Sequence, residues 1–381
     1  MYHFEPLSAY LDHAAENFLI PACDAIIVKD GETIYRHSAG FSDLTKMKKV
    51  SPDDIYSIYS STKISTTTAA MRLIEDGKLN LDDPVAKYLP AYENLTVKEA
   101  DGTVRPAETV MTVRHLMSMQ GGLDYDMQRG DVLKLIEEKG ENVGTVEVVS
   151  AFPAGPLVFD PGTHFQYSLC HDVLAAVIEV ASGMRYSDYL NEVIFKPLGM
   201  KNTTFHPTEE QMARMSRLYA KNDAQDQLID QGLMRTAYPS ENYESGGGGL
   251  LSTVDDYIEL AYALANKGTA RNGYQVLKPE TVELYRTRQL GEDSQADFLN
   301  GFSQMKGYTY CLGVRRFIDN AGSTCACGHF GWDGAAGFYV LSDPDNNMAF
   351  VYAQNVLHSD VTFHQMHAQL RDLVYTCMRD M

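Results

Sequence analysis

Basic residues are in short supply in this chain: 32 Lys and Arg stand against 51 Asp and Glu, a formal net charge of -19 at pH 7. Such a balance repels phosphate backbones and anionic lipid, which argues against nucleic acid or a membrane surface as partner and fits a role in solubility. No uncharged run is long enough to span a bilayer. Met1 to Leu19 form an acidic amphipathic segment (Leu7, Leu11, Ala14, Phe18) with no basic n-region and no continuous apolar stretch, unlike a secretory signal. Six cysteines without such a signal are expected as reduced thiols in the cytoplasm rather than as a disulfide framework. Two familiar motifs are also missing. There is no Gly-x-Ser-x-Gly elbow, since Gly301-Phe302-Ser303-Gln304-Met305 lacks the final glycine, so an α/β-hydrolase is disfavoured. Gly246 to Gly249 are followed by no Gly-Lys-Ser/Thr, so they read as a tight backbone bend and not as a phosphate loop.

What is present is mixed α and β patterning over 381 residues, 44% of them hydrophobic, enough for one large or two interleaved cores. Cys23 to Val28 and Thr33 to His37 read as strands joined by Asp30-Gly31, a favoured hairpin dipeptide. Far along the chain, Gly337 to Leu341 and Met348 to Gln354 repeat this pattern around Asp343-Pro344-Asp345-Asn346-Asn347. Phe363, Met366, Leu370, Leu373, Val374 and Cys377 then carry helical spacing to the end. Between them, residues 76–235 show mostly helical patterns and loops, such as Val173 to Ala181 and Ser187 to Phe195. Strands confined to the two ends predict an α+β fold. Residues 1–75 and 236–381 would form a discontinuous α/β domain whose antiparallel sheet is flanked by helices, with 76–235 an inserted, mostly helical domain and a cleft between the two.

Ser60-Ser61-Thr62-Lys63 is the stretch that carries most chemistry, because one helical turn brings Ser60 and Lys63 onto one face. A serine hydroxyl needs a base beside it to become a nucleophile. From Ile64 to Met71 there is no charge, which suits a helix packed on every side and makes Lys63 the only charge in its surroundings. Tyr167 follows the turn at Pro161-Gly162, where a phenol could reach a cleft. Gly328-His329-Phe330-Gly331-Trp332-Asp333-Gly334 precedes a strand, and its glycines would let a substrate lie against the backbone. Cys325, Cys327 and His329 alternate at strand spacing, but two small buried thiols beside the cleft are a better reading than a zinc site. Cys170 reads as a core residue.

These stretches, in this order, resemble the serine β-lactamase and penicillin-binding-protein superfamily, in particular its class C β-lactamase-like esterases, peptidases and lactamases. Further matches are Gly77 to Val85, Val113 to Met117, Pro161-Gly162-Thr163 through Tyr167-Ser168, Lys196 to Met200, Gly247 to Thr253 and His329-Phe330-Gly331. The resemblance implies a β-lactamase/transpeptidase-like fold and a covalent acyl-enzyme on Ser60, with Lys63 and Tyr167 sharing the proton work. Either an uncharged Lys63 deprotonates Ser60, or a charged Lys63 holds Tyr167 as the phenolate that does so. It also implies that His329, at the family's Lys-Thr-Gly or His-x-Gly position, supports Tyr167, that Phe330 and Gly331 border the substrate, and that the N–H groups of Ser60 and Trp332 form an oxyanion hole. No metal or other cofactor is implied. Two departures narrow the substrate. Leu169 stands where the family has an asparagine that meets a ligand amide, and His329-Phe330 replaces a permanent cation and a hydroxyl. The expectation is a carboxylesterase-like or amide-hydrolysing enzyme for a small ester or amide, with weak or no β-lactamase activity. The alternatives are a D-amino-acid peptidase or β-lactamase of the same fold, or a catalytically silent binding or self-assembling member. The loops Asp124 to Gly130 and Tyr238 to Glu244 would set the choice of substrate.

Overall fold

The computed structural model describes residues 2–222, 226–233, 239–320, 322–323 and 325–379. Its centre is an eight-stranded antiparallel sheet built from both ends of the chain. The strands are β1 (Ala22–Lys29), β2 (Glu32–Asp43), β3 (Lys48–Lys49), β4 (Tyr308–Tyr310), β5 (Arg315–Phe317), β6 (Phe330–Asp333), β7 (Tyr339–Asp343) and β8 (Met348–Ala353). Their spatial order is β4-β5-β6-β7-β8-β1-β2-β3. The first hairpin forms as its turn residues require: Asp30 and Gly31 both take positive φ, +50° and +86°, the geometry that matches the twist of two joined strands. The two chain ends then close against each other, β1 pairing with β8 from Asp24 opposite Ala353 to Lys29 opposite Met348.

β1, β7 and β8 are buried almost continuously rather than in alternation, because helices cover both faces of the sheet. The principal helices are α1 (Glu5–Asn17), α2 (Thr62–Glu75), α3 (Cys170–Ser182), α4 (Val254–Ala265) and α5 (His367–Cys377). α1 packs on β1, β2 and α5, while α4 packs on β1, β7 and β8. The hydroxyl of Thr253 accepts the Asp256 N–H at 3.0 Å to cap α4, an arrangement worth about 1 kcal/mol. α2 lies between the sheet and α3, touching β6 on one side and α3 on the other.

Residues 76–235 are less purely helical than their patterning predicts. Thr96–Lys98 pairs with Val104–Pro106, and Leu218–Asn222 pairs with Gln227–Gly232 and, in parallel, with Val356–Leu357 from near the chain's end. Strands this short carry too little alternation to be read locally, and the last is completed by a partner more than a hundred residues away. The border at 235/236 falls outside the described residues, and one apolar cluster includes side chains from both sides of it, such as Leu116 and Val173 with Phe330 and Val351. Among the described residues no helix is long and apolar enough to cross a membrane. Cys170 is buried, and so is Cys325, but Cys327 is exposed, which corrects the reading of Cys325 and Cys327 as a buried pair.

Candidate active site

Ser60 lies in a single 3₁₀ turn, Tyr59–Ser61, that runs directly into α2. The residue before it, Tyr59, has φ +44°, a left-handed conformation that costs an aromatic residue roughly 1–3 kcal/mol. Two contacts hold this bend. The Ile58 N–H donates to Leu250 O at 3.1 Å, and Gly334 lies so close that a Cβ there would sit 2.1 Å from Ile58 O. Ser60 is thereby presented at the N-terminus of a helix, where unpaired N–H groups carry partial positive charge.

Thr62 to Met71 of α2 are all buried, as the lack of charge there predicts. Lys63 is 0% exposed, and its Nζ is satisfied by three oxygens: Ser60 Oγ at 3.2 Å, Gly247 O at 2.6 Å and Tyr125 Oη at 3.3 Å. It also rests 4.6 Å from the centre of the Tyr167 ring. The glycine run is therefore a close passage of backbone between helices. A Cβ on Gly246 would meet His171 O at 2.4 Å, and one on Gly247 would meet Asp172 Oδ2 at 2.5 Å and Lys63 Nζ at 3.5 Å.

Lys63 is not the only charge in its surroundings. Asp172, 1% exposed in the first turn of α3, accepts hydrogen bonds from Tyr243 Oη at 2.7 Å and Ser245 Oγ at 2.6 Å. Burial raises its carboxyl pKa above the ordinary value, while those two donors and the charge of Lys63 pull the other way. A charge on Lys63 would be costly in the interior without such neighbours, so Asp172 and Gly247 O together favour the ammonium that Lys63 becomes when it takes a proton.

Tyr167 and Trp332 form the next wall. Trp332 Nε1–H donates to Tyr167 Oη at 2.8 Å, with ring centres 5.4 Å apart, and Phe302 meets both rings edge-on. Ser60, Tyr167, Phe302, Met305, Trp332 and Ala335 line a cleft of about 420 Å³. Other surface clefts, about 580 Å³ around Lys201 and His206, about 620 Å³ around Arg105 and His164 and about 430 Å³ around Tyr92 and Met111, include neither Ser60 nor Tyr167.

The other residues singled out in the sequence fall elsewhere. His329 is 2% exposed and does not reach this cleft; its Nε2 pairs with Tyr308 Oη at 3.1 Å and its ring stacks on Phe317. Burial, then the cations Arg371 and Arg315, push its pKa down to about 3. Phe330 is buried against Tyr285. Gly331 is forced by the neighbouring strand, since a Cβ there would be 1.9 Å from Val340 O, so its missing side chain serves the sheet and not a substrate. Leu169 is buried at the start of α3, its N–H donating to Asp124 O. Trp332 belongs to the site through its indole rather than its backbone, which sits within β6 opposite Val340. The reason is strand geometry. Trp332 lies three positions after His329, and a shift of three along a strand turns a side chain to the other face of the sheet. The signal was present, because Trp332-Asp333-Gly334 repeats the x-x-Gly spacing of His329-Phe330-Gly331. Tyr125 and Asp172 carried no comparable signal. No group of three His, Cys, Asp or Glu suited to a metal ion occurs among the described residues.

Fold and cleft together describe a serine hydrolase of the β-lactamase and penicillin-binding-protein superfamily, and the chain belongs to the Beta-lactamase family, whose pattern it matches over residues 10–375. Esterase EstB of Burkholderia gladioli is 26% identical over 394 residues, covering 97% of this chain and 94% of that protein. A provisionally named D-alanyl-D-alanine carboxypeptidase of Escherichia coli (strain K12) is 26% identical over 381 residues, covering 92% and 82%. Among solved structures, EstCE1, a hydrolase with promiscuous acyltransferase activity, superimposes with a TM-score of 0.78 at 25% identity, covering 96% of this chain and 97% of that one.

Proposed function

We propose that this hydrolase is carboxylesterase-like and acts on small esters, and less readily amides, whose acyl group is uncharged. Ser60 Oγ attacks the acyl carbon while its proton passes to Lys63 Nζ, 3.2 Å away. The Ser60 N–H and the N–H of Ala335, the exposed cleft residue just past β6 beside Gly334, would receive the developing oxyanion. Ala335 thus takes the place first given to Trp332. Collapse of the tetrahedral adduct breaks the bond to the leaving alkoxide, which takes a proton from Tyr167; because the indole N–H already donates to that phenol oxygen, the phenol's own proton is left to give. Water then attacks the acyl carbon, its proton passing to the Tyr167 phenolate, and as the bond to the Ser60 oxygen breaks Lys63 returns its proton to that oxygen, so the acid leaves and Ser60, Lys63 and Tyr167 are all restored.

The observation that carries this reading is the Ser60–Lys63 contact in a cleft walled by Tyr167, Phe302, Met305 and Trp332. Charge supports the ester preference. The cleft wall contains the carboxylate of Asp360 and no Lys or Arg, the Asp333 carboxylate being already paired with Arg315, so a β-lactam or peptide carboxylate would find no fixed cation there. The EstB and EstCE1 likenesses point the same way.

The test is a side-by-side assay of p-nitrophenyl butyrate, a cephalosporin and a D-alanyl-D-alanine peptide, with intact-mass detection of a fluorophosphonate adduct. Aryl-ester turnover well ahead of the other two, and an adduct absent from Ser60→Ala, are expected. A faster cephalosporin or peptide reaction would reverse the substrate order, and a folded protein that takes no label would favour the silent binding reading.

A further inference from the structure

Lys63 has a third oxygen neighbour that the steps above leave idle, and it belongs to Tyr125. An unprotonated amine has two N–H bonds and one lone pair, and to act as a base it must aim the lone pair at the serine proton. Gly247 O can only accept, so it takes one N–H. If the second N–H were free to swing, the lone pair would spend much of its time turned away from Ser60. We propose that Tyr125 is a positioning residue for the reaction: its hydroxyl oxygen takes the second N–H of Lys63, so that the lone pair is left facing Ser60 Oγ.

The same arrangement serves after proton transfer. The ammonium then has three N–H bonds, of which Gly247 O and Tyr125 Oη keep two, and the third points back to the Ser60 oxygen. No rotation of the amine is needed between the two states, which removes a reorganisation step from the reaction.

The Tyr125 loop is built to hold that hydroxyl still. Asp124 O accepts the Leu169 N–H at 3.2 Å, tying the loop to the start of α3. Arg129, 6% exposed, donates to Asp124 Oδ1 at 3.1 Å and to Pro156 O at 2.6 Å. The Tyr125 ring stands 5.7 Å from that of Tyr167, and although the side chain is half open to solvent its hydroxyl end is enclosed by Lys63.

This inference rests on the serine-hydrolase reading of the site, and the experiment separates the two. Tyr125→Phe keeps the ring against Tyr167 and removes only the oxygen; Tyr125→Leu removes both. The second-order rate of Ser60 labelling by a fluorophosphonate is measured for both variants and the parent, with kcat and KM for p-nitrophenyl butyrate. Tyr125→Phe is expected to label about ten-fold more slowly or worse, to lose a similar factor in kcat, and to keep KM within about three-fold. Tyr125→Leu is expected to label no faster than Tyr125→Phe. A Tyr125→Phe protein that labels at the parent rate, or whose loss lies in KM alone, overturns the assignment while leaving the hydrolase reading intact. A parent protein that does not label at Ser60 overturns both.

Discussion

The two faces of β6 use similar chemical groups to opposite ends. On one, Trp332 meets Tyr167 beside Ser60, in a cleft open to solvent. On the other, His329 and Tyr308 pair beneath α5, where Arg371 Nη1 donates to Tyr308 Oη at 3.2 Å and leaves the phenol proton for His329 Nε2. At the strand's end Asp333 faces Arg315 Nη1 at 2.6 Å and His367 Nδ1 at 3.2 Å. Burial works against that carboxylate, yet Arg315 and His367 hold its pKa down to about 2. An imidazole or a phenol is therefore not an active-site group by identity. It becomes one where a nucleophile and an entrance share its side of the sheet, and behind the sheet the same groups only satisfy one another.

The largest effect that would break this contrast is on the open face. Lys63→Met removes the base while keeping an unbranched chain in a buried position, and kcat/KM for an aryl ester is expected to fall about a thousand-fold or more. Near-normal turnover in that variant would place the base elsewhere. Trp332→Phe keeps an aromatic wall and deletes the N–H given to Tyr167, so kcat is expected to drop about ten-fold with little change in KM. An unchanged kcat would mean that the indole only fills space.

His329→Gln sharpens the contrast from the closed face, with the smallest effect on activity, within about three-fold of the parent. Its effect is on stability against pH. The folded pKa of His329 is about 3 and the unfolded value is near 6.5. Between these values the unfolded chain binds one more proton at this residue, so stability falls as pH is lowered through the window, by up to about 1.4 kcal/mol per pH unit. Urea unfolding midpoints at pH 7 and pH 5 should therefore differ less in the variant than in the parent. Equal differences would show that His329 titrates normally.

Much of the open face was legible along the chain. The spacing of Ser60 and Lys63 and the uncharged run behind them could only be served by a buried helix, and α2 is one. The two terminal hairpins and the closing helix announced the sheet. The error over His329 and Trp332 has a simple origin: both begin an x-x-Gly triplet, and nothing within seven residues says which face of β6 will look toward Ser60. Asp172 was hidden for a related reason. An aspartate in the first turn of a helix usually serves the helix terminus. Here Tyr243 and Ser245, more than seventy residues on, donate hydrogen bonds to it in the interior, where it also feels the charge of Lys63.

The amino-acid order alone thus determined the elements and the pairing of hydroxyl with amine, because both depend on periodicities of one or two turns. Tertiary structure alone decided that Gly334 and not Gly331 presses on the serine turn, that the indole and not the imidazole meets Tyr167, and that Tyr125 reaches Lys63. Each of those outcomes depends on which surfaces, far apart in the chain, exclude water from each other, and local periodicity carries no record of that choice.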